Sequence, residues 1–197
     1  MKRGKNFNHP KKGSQIRVEP VRTLEAIEAI KSLIYDKPLD YALFVVGINT
    51  NLRASDLLRI KVSQVKELKA NDEIELREKK TKKLRRINLN DSCIQAIKRL
   101  LESKYFKDDD DLFKGQRGTI TVSGLNHKVK DWCKTVGLKG NYGSHSLRKT
   151  WGYNQRVTFG VELPILMECL NHSNQKQTMT YLCIQPEEIK QVYRNEL

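Results

Sequence analysis

Apolar residues recur at helical spacing through most of the chain. One face of a first helix carries Leu24, Ile27, Ile30 and Ile34. Thr23 precedes them and is a suitable N-cap. Pro38 can open a second helix through residues 41–48, a run that is too apolar on all sides for a surface helix. A turn over 49–53 and a short helix over 56–60 are predicted to follow.

The spacing changes to alternation after Lys61. Apolar residues then alternate with charged ones on both sides of a cluster of lysines, at Ile74, Leu76, Leu84, Ile87 and Leu89. This pattern is typical of a half-buried antiparallel hairpin, with the lysines at its tip. The chain is therefore predicted to contain one small sheet.

Helical spacing returns at Asp91 or Ser92 and continues to the end of the chain. The acidic run 108–111 is predicted to be a solvated loop, and Ser123 to cap an amphipathic helix that ends at Gly137. Shorter helices are predicted over 144–159, 164–170, 175–182 and 186–195. The fold class is thus mainly α with a small antiparallel β-sheet (α+β), in one domain over residues 23–197.

Residues 1–22 are predicted to form a flexible basic arm. Six cations precede the first acidic residue, namely Lys2, Arg3, Lys5, Lys11, Lys12 and Arg17. So few apolar residues accompany them that burial cannot offset the entropy of ordering the segment. Two interpretations stay open: a tether in which Lys11 and Lys12 contact DNA phosphates, and a tail that only solubilises the chain.

The whole chain is strongly basic, with 37 Lys and Arg against 23 Asp and Glu in 197 residues, a net charge of +14. This charge favours a polyanionic partner, but DNA, RNA, the ribosome and an acidic membrane all satisfy it. No apolar stretch approaches the roughly 20 residues of a membrane helix, and no secretory signal follows the basic start. We expect a cytoplasmic protein, associated with the nucleoid.

Four cysteines are widely and irregularly spaced, at Cys93, Cys133, Cys169 and Cys183. Zinc sites usually show paired cysteines or histidines at short, regular spacing, which is not the pattern here. We therefore expect reduced thiols and no bound metal.

Three short segments carry residues suited to phosphate chemistry. His145 and Arg148 are three residues apart at a predicted helix start, so they share a face at the end of the helix that attracts anions. His172 follows Asn171, a residue that tolerates a left-handed helix end, and Tyr181 comes nine residues after His172. Each residue alone is more often structural than catalytic.

Together with residues 47–58, these segments resemble the tyrosine recombinase, or phage-type integrase, family. That family carries G-[LF]-R-x-S-E-[LI], a lysine on a β-hairpin, H-x-L-R, and L-G-H followed by a nucleophilic tyrosine. The corresponding order here is Arg53, the lysine hairpin, His145-Ser146-Leu147-Arg148, Leu170-Asn171-His172 and Tyr181. The resemblance covers residues 23–181 and implies the fold of the family's catalytic domain.

The resemblance also implies a site-specific DNA recombinase that needs neither metal nor ATP. Tyr181 would attack a phosphodiester, giving a 3′-phosphotyrosyl link that conserves the bond energy and a free 5′-hydroxyl. Arg53 and Arg148 would hold the non-bridging oxygens. His145 would accept or return the proton of the phenol, and His172 would hydrogen-bond the phosphate.

The leaving 5′-oxygen needs an acid, which the family supplies from the hairpin lysine. Lys80, followed by Thr81, best matches the family's K-T-G or K-G pattern and has the strand parity of Ile74 and Leu76. The other lysines of the tip are predicted to contact DNA phosphates without sequence preference. These are Lys79, Lys82 and Lys83.

Three features depart from the family's pattern. Lys82 replaces the usual glycine of the hairpin turn, and Asn171 replaces the glycine of L-G-H. Relatives also place a helical DNA-clamping domain before the catalytic domain, where this sequence has the basic arm. Either the chain is a short, single-domain member, or the clamp is supplied by the basic arm or by a partner. An accessory DNA-bending protein is a further candidate partner.

Recombination joins two duplexes at four active sites, so the resemblance implies a homotetramer on DNA and a monomer when free. Two alternatives use the same fold: a non-catalytic or accessory DNA-binding protein, and a type IB topoisomerase-like relaxase. The target site, and the choice among integration, excision and inversion, stay open.

Overall fold

The computed structural model describes residues 18–116, 118–172, 174–182, 190 and 192–196. The described part is mainly helical with two short antiparallel hairpins, which confirms the predicted fold class. Its elements are α1 (Leu24–Leu33), α2 (Pro38–Asn49), α3 (Ala54–Leu57), β1 (Glu73–Arg77), β2 (Leu84–Asn88), α4 (Asp91–Glu102), β3 (Lys114–Gly115), β4 (Gly118–Thr119), α5 (Val122–Thr135), α6 (Ser144–Val157), α7 (Leu163–Leu170) and α8 (Gln175–Leu182). In this part of the chain, every helix is too short or too polar to span a membrane.

Local signals explain most helix starts. The Thr23 hydroxyl accepts the Ala26 N–H at 3.2 Å and caps α1 as predicted. Pro38 is the first residue of α2, also as predicted. The Asn90 side chain accepts the Cys93 N–H at 3.0 Å and caps α4.

The predicted cap of α5 is wrong. Thr121, not Ser123, is the N-cap, and its hydroxyl accepts the Gly124 N–H at 3.0 Å. Thr121 has an extended backbone, whereas Ser123 already lies inside the helix. Gly137 follows the end of α5 with a φ of +79°, a left-handed conformation that favours glycine.

The core is centred on α2, whose residues 42–48 are buried on all sides, as their apolar run predicts. Helix α6 lies close against α2 at Gly47, which has no side chain. A Cβ atom added at Gly47 would come 2.6 Å from Leu147 Cδ1, too close for any larger residue without movement. This close approach brings the turn that follows α2 next to the first turns of α6. The two predicted arginine sites lie on these two elements.

Strands β1 and β2 form the predicted hairpin, with Glu73 opposite Asn88 and Arg77 opposite Leu84. Residues 78–83 make the tip, where the Lys82 N–H donates to the Glu78 carbonyl at 2.9 Å. Lys82 has a φ of 61°, so the lysine adopts the backbone conformation for which glycine is usual here. Lys80 lies in the turn rather than in a strand, so the strand parity predicted for it is wrong.

The acidic run forms a loop as predicted, but three of its carboxylates are ion-paired rather than only solvated. The nitrogen–oxygen distances are 2.8 Å for Lys66–Asp108, 2.7 Å for Lys114–Asp110 and 2.6 Å for Lys61–Asp111. Hairpin β3–β4 follows directly and was not predicted, because two-residue strands leave no alternation to detect.

The end of the predicted arm packs on the domain. Val21 is buried and donates its N–H to Thr150 Oγ1 at 2.8 Å, and the Glu19 N–H donates to the Asn141 carbonyl at 2.7 Å. Residues 1–17, with Lys11 and Lys12, lie outside the described residues, as do Cys183 and half of the helix predicted over 186–195.

Candidate active site

Four segments that are distant in the chain bring the predicted site residues together. Arg53 ends the turn after α2 and caps α3, His145 and Arg148 lie in the first turns of α6, His172 follows α7, and Tyr181 lies in α8. Lys80 is exposed at the hairpin tip beside this group. Among the described residues, no group of three or more acidic, histidine or cysteine side chains could hold a metal ion.

Arg148 is buried at the centre of the group, with 1% of its surface exposed. Its Nη2 donates to the Leu170 carbonyl at 2.8 Å, whereas its Nε and Nη1 are buried with no hydrogen-bond partner among the described residues. Burial, together with the charges of Arg53 and Arg85, lowers the pKa of Arg148 to about 10. The guanidinium therefore stays charged at neutral pH and has two desolvated donors.

His172 and Tyr181 are neighbours, with ring centroids 5.1 Å apart, and the Tyr181 ring centroid lies 5.4 Å from Arg148 Cζ. Asn171 ends α7 with φ 54° and ψ 44°, which confirms the predicted left-handed helix end. The His172 N–H then donates to the Met167 carbonyl at 3.1 Å, as in a Schellman motif. This helix end directs His172 towards α8.

The His172 ring is held from α8 and is neutral at pH 7. Its Nδ1 lies 3.1 Å from the hydroxyl of the buried Thr178. Burial, and then the charges of Arg148, Arg53 and Arg85, lowers the pKa of His172 to about 4. One ring nitrogen therefore carries a hydrogen atom and the other accepts.

His145 is more exposed than His172. Loss of hydration, followed by the charges of Arg148, Lys149, Arg53 and Lys80, lowers its pKa. Because Lys80 contributes to this shift, its ammonium lies within electrostatic range of His145.

Two residues outside the predicted set, Glu78 and Arg85, are buried inside it. Glu78 Oε1 lies 2.5 Å from Arg53 Nη1 and 2.9 Å from Arg85 Nη1, and its Oε2 accepts the Thr81 hydroxyl at 2.5 Å. Burial alone raises the pKa of Glu78, but hydrogen bonds from Arg53, Thr81 and Arg85 lower it to about 2. Glu78 is therefore ionised at any pH near neutrality.

Arg85 connects three parts of the site. Besides Glu78, it donates to the Asn51 side-chain oxygen and, at 2.5 Å, to the Cys169 carbonyl. Asn51 has a φ of 46° and also donates to that carbonyl at 3.1 Å. The turn before Arg53, strand β2 and the end of α7 are thus joined.

Strand parity could have revealed both residues from the sequence. Glu78 has the parity of Ile74 and Leu76, and Arg85 that of Ile87 and Leu89, so each follows the face that turns inwards. Leu84, in contrast, is on the exposed face, although its apolar side chain suggested the opposite.

Asp56 fixes the hairpin tip against α3. It is buried, and its Oδ1 accepts the Lys79 N–H at 2.9 Å. Lys79 is the residue directly before Lys80, so this bond anchors the backbone on the side of the hairpin that faces the site. The side chains of Lys79, Lys82 and Lys83 are exposed.

The amino-acid sequence matches a model of the phage integrase family over residues 20–188. The probable integrase/recombinase YoeC of Bacillus subtilis is 35% identical over 182 residues, which cover 90% of this chain and 96% of that protein. The tyrosine recombinase XerC of Caldanaerobacter subterraneus is 31% identical over 167 residues, or 82% of this chain. The match covers 46% of XerC, so the chain aligns with less than half of that relative.

Solved structures share the fold at low sequence identity. The XerA recombinase superposes with a TM-score of 0.73 at 20% identity, over 100% of this chain and 70% of XerA. The post-cleavage complex of XerH with its difH substrate also reaches 0.73 at 20% identity, over 91% of this chain and 53% of XerH. A lambda integrase dimer bound to a COC′ core site superposes with a TM-score of 0.67 at 15% identity, over 86% of this chain and 60% of the lambda integrase chain.

The fold and the sequence lead to the same assignment. Structures of tyrosine recombinases match the arrangement of helices and hairpin, and the family's sequence pattern extends over most of the chain. A relative aligns along nearly its whole length at 35% identity. The chain therefore belongs to the phage integrase family, the tyrosine recombinases.

Proposed function

We propose that this protein cleaves and rejoins DNA strands as a site-specific recombinase, through a covalent 3′-phosphotyrosyl intermediate on Tyr181. The observation that carries the proposal is Arg148, a buried guanidinium with two donors that no described residue satisfies, beside the Tyr181 ring. Buried donors without acceptors are unfavourable. The non-bridging oxygens of a phosphodiester would accept hydrogen bonds from these donors. The bonds would strengthen as negative charge develops on the oxygens, so they would stabilise the transition state most.

Each step of the proposed cleavage has a residue to perform it. The Tyr181 oxygen attacks phosphorus, its proton passes to His145, and the bond from phosphorus to the 5′-oxygen breaks. Lys80 donates a proton to the leaving 5′-oxygen, while Arg53, Arg148 and a hydrogen bond from His172 stabilise the phosphorane. Rejoining reverses these transfers with the 5′-hydroxyl of another strand.

The titration behaviour of the histidines supports these roles. A base must be unprotonated before it acts, and the lowered pKa of His145 keeps its imidazole neutral near pH 7. The lowered pKa of His172 likewise keeps that ring neutral, so it would act as a hydrogen-bond donor rather than as a cation.

We propose double-stranded DNA as the substrate. The chain has a net charge of +14, and the lysines of the hairpin tip are exposed beside the site. XerH and the Tn1549 transposon integrase, which share the fold, were solved as complexes with DNA. Because strand exchange between two duplexes uses four tyrosines, we propose a homotetramer on DNA and a monomer in its absence.

The test is covalent capture on suicide DNA, in which a nick close to the cleavage point lets the released end diffuse away. A pool of suicide duplexes with randomised arms lets the enzyme select its own site. The wild-type protein should give an adduct that resists detergent, and Tyr181→Phe should give none. Tyr105→Phe, which changes a tyrosine that is 85% exposed, is the matched control and should react like the wild type.

Other outcomes favour other functions. An adduct at the wild-type level in Tyr181→Phe would reject Tyr181 as the nucleophile. Salt-dependent DNA binding without any adduct would favour an accessory DNA-binding protein. Relaxation of supercoiled plasmids regardless of sequence would favour a relaxase of the type IB topoisomerase class.

A further inference from the structure

Three guanidiniums, those of Arg53, Arg85 and Arg148, belong to this site, and Arg148 Cζ lies 5.4 Å from the centroid of the Tyr181 ring. They interact strongly enough that the charges of Arg53 and Arg85 contribute to the lowered pKa of Arg148. Like charges in a poorly hydrated region repel, so long side chains with a route to solvent would turn outwards unless something held them. Arg53 has such a route, because 14% of its side chain is exposed.

Glu78 supplies the restraint. A single oxygen, Oε1, pairs with both Arg53 Nη1 and Arg85 Nη1, at 2.5 and 2.9 Å. The other oxygen accepts the Thr81 hydroxyl, so the carboxylate cannot rotate freely. With 1% of its surface exposed, Glu78 is shielded from water that would compete for these bonds.

Arg85 is itself immobilised by contacts other than the one to Glu78. It donates to the Asn51 side chain and to the Cys169 carbonyl, and 7% of its surface is exposed. Arg85 is therefore held at several points, and it pairs with the same Glu78 oxygen as Arg53. The chain of contacts runs from α7 through Arg85 and Glu78 to Arg53.

We propose that Glu78 and Arg85 form a positioning pair that holds Arg53 in its phosphate-binding geometry before DNA arrives. The pair touches Arg53 rather than the reacting atoms, so it acts through that arginine. One carboxylate among three guanidiniums also leaves an excess of two positive charges, which matches the dianionic phosphorane of the proposed reaction. The inference rests on the proposed function of this site.

The decisive variant is Glu78→Gln, which keeps the shape and the acceptor oxygen but removes the charge. We expect first-order cleavage of saturating suicide DNA to slow at least about tenfold, because Arg53 is no longer preorganised. DNA affinity should not weaken, because a negative charge has been removed. Glu75→Gln is the matched control: it removes the same charge from β1, where Glu75 pairs with the exposed Arg86, and its rate should stay at the wild-type value.

A double-mutant comparison separates positioning from a general loss of structure. If Glu78 acts through Arg53, then Arg53→Ala combined with Glu78→Gln should cleave no more slowly than Arg53→Ala alone. Independent, multiplicative losses would overturn the proposal, as would a wild-type cleavage rate for Glu78→Gln.

A second measurement does not depend on DNA cleavage. The signal of the Arg53 Nη1 hydrogens, which belong to the nitrogen that contacts Glu78, can be assigned in the NMR spectrum of the free protein by its disappearance in Arg53→Lys. It should be protected from exchange in the wild type and should exchange at least about tenfold faster in Glu78→Gln. An unchanged signal would refute the positioning role, whereas failure of the wild type to form an adduct would refute the proposed function alone.

Discussion

Some buried charged residues of the site have hydrogen-bond partners in the described part of the chain for all their polar atoms, and others do not. Both oxygens of Glu78 have partners, while Arg148 keeps two donors without an acceptor among the described residues. The two histidines avoid adding charge, because their lowered pKa values keep them neutral at pH 7. The site is thus prepared for an anion that it does not itself supply.

Replacement of Arg148 by lysine tests whether the planar guanidinium is needed. Lysine keeps the charge but cannot present several donors in fixed directions. We expect Arg148→Lys to lose about 2–4 kcal/mol of transition-state stabilisation, measured as the cleavage rate on saturating suicide DNA. Arg59→Lys, in an exposed position, is the control. A rate within about tenfold of the wild type would show that charge alone suffices.

His172 predicts how stability depends on pH. Between its ordinary pKa of 6.5 and its folded value of about 4, the unfolded chain binds a proton that the folded chain excludes. The free energy of unfolding should therefore fall as the pH drops through this range, by up to about 3 kcal/mol. Glu78, with a folded pKa of about 2, should contribute its own loss only below about pH 4.5.

Urea unfolding at several pH values between about 4 and 7 measures this dependence. His172→Gln should show a shallower fall than the wild type. His127→Gln, which removes an exposed imidazole from α5, should keep the wild-type slope. Parallel curves for His172→Gln and the wild type would contradict the assignment.

At the scale of elements, left-handed residues close the helix and the hairpin that carry parts of the site. Asn171 ends α7 and directs His172 towards α8, and Lys82 closes the hairpin that presents Lys80. Both residues have a Cβ atom that crowds the backbone there, but the short polar side chain of asparagine can offset the cost by a local hydrogen bond, whereas that of lysine cannot. The hairpin therefore contains local strain that the ending of α7 avoids.

Lys82→Gly should stabilise the protein. Glycine removes the strain at a φ of 61°, which outweighs its greater flexibility in the unfolded chain, so we expect a gain of about 1 kcal/mol. Thermal or urea unfolding gives the value. Lys83→Gly, next to it but without a positive φ, should instead lose about 0.5–1 kcal/mol. Equal effects of the two changes would argue against strain at residue 82.

On the scale of the whole molecule, charge and packing have separate roles. The net charge of +14 acts over long distances on any polyanion, while the compact body around α2 fixes the site. Residues 18–22 pack on the domain next to α6. The segment that precedes them in the sequence carries six cations, so it combines high charge with an attachment point close to the site-bearing helix.

Removal of residues 1–17 distinguishes a DNA tether from a solubilising tail. If the arm binds phosphates, the slope of log affinity against log salt should decrease by about 0.9 for each phosphate that the arm neutralises. Cleavage by the saturated complex should keep its rate, because the packed residues 18–22 remain. A slope equal to that of the full chain would support the tail. Filter binding over a range of salt concentrations provides the measurement.

The sequence by itself determined the features that depend on near neighbours. Helix starts at Thr23 and Pro38, the alternation of the hairpin and the left-handed end at Asn171 are local, because caps and periodicity depend on a few consecutive residues. The resemblance to the family likewise identified six candidate residues from their order and spacing. The fold places them around one site, and their roles stay predictions.

Only the tertiary structure decided which charges meet. Glu78 and Arg85 lie in what the pattern marked as a charged hairpin, and their burial depends on Arg53 and on the carbonyl of Cys169, far away in the chain. The same dependence on distant partners explains why the acidic loop is ion-paired. Burial of an ion is favourable only beside its partner, and that partner is chosen by folding rather than by neighbouring sequence.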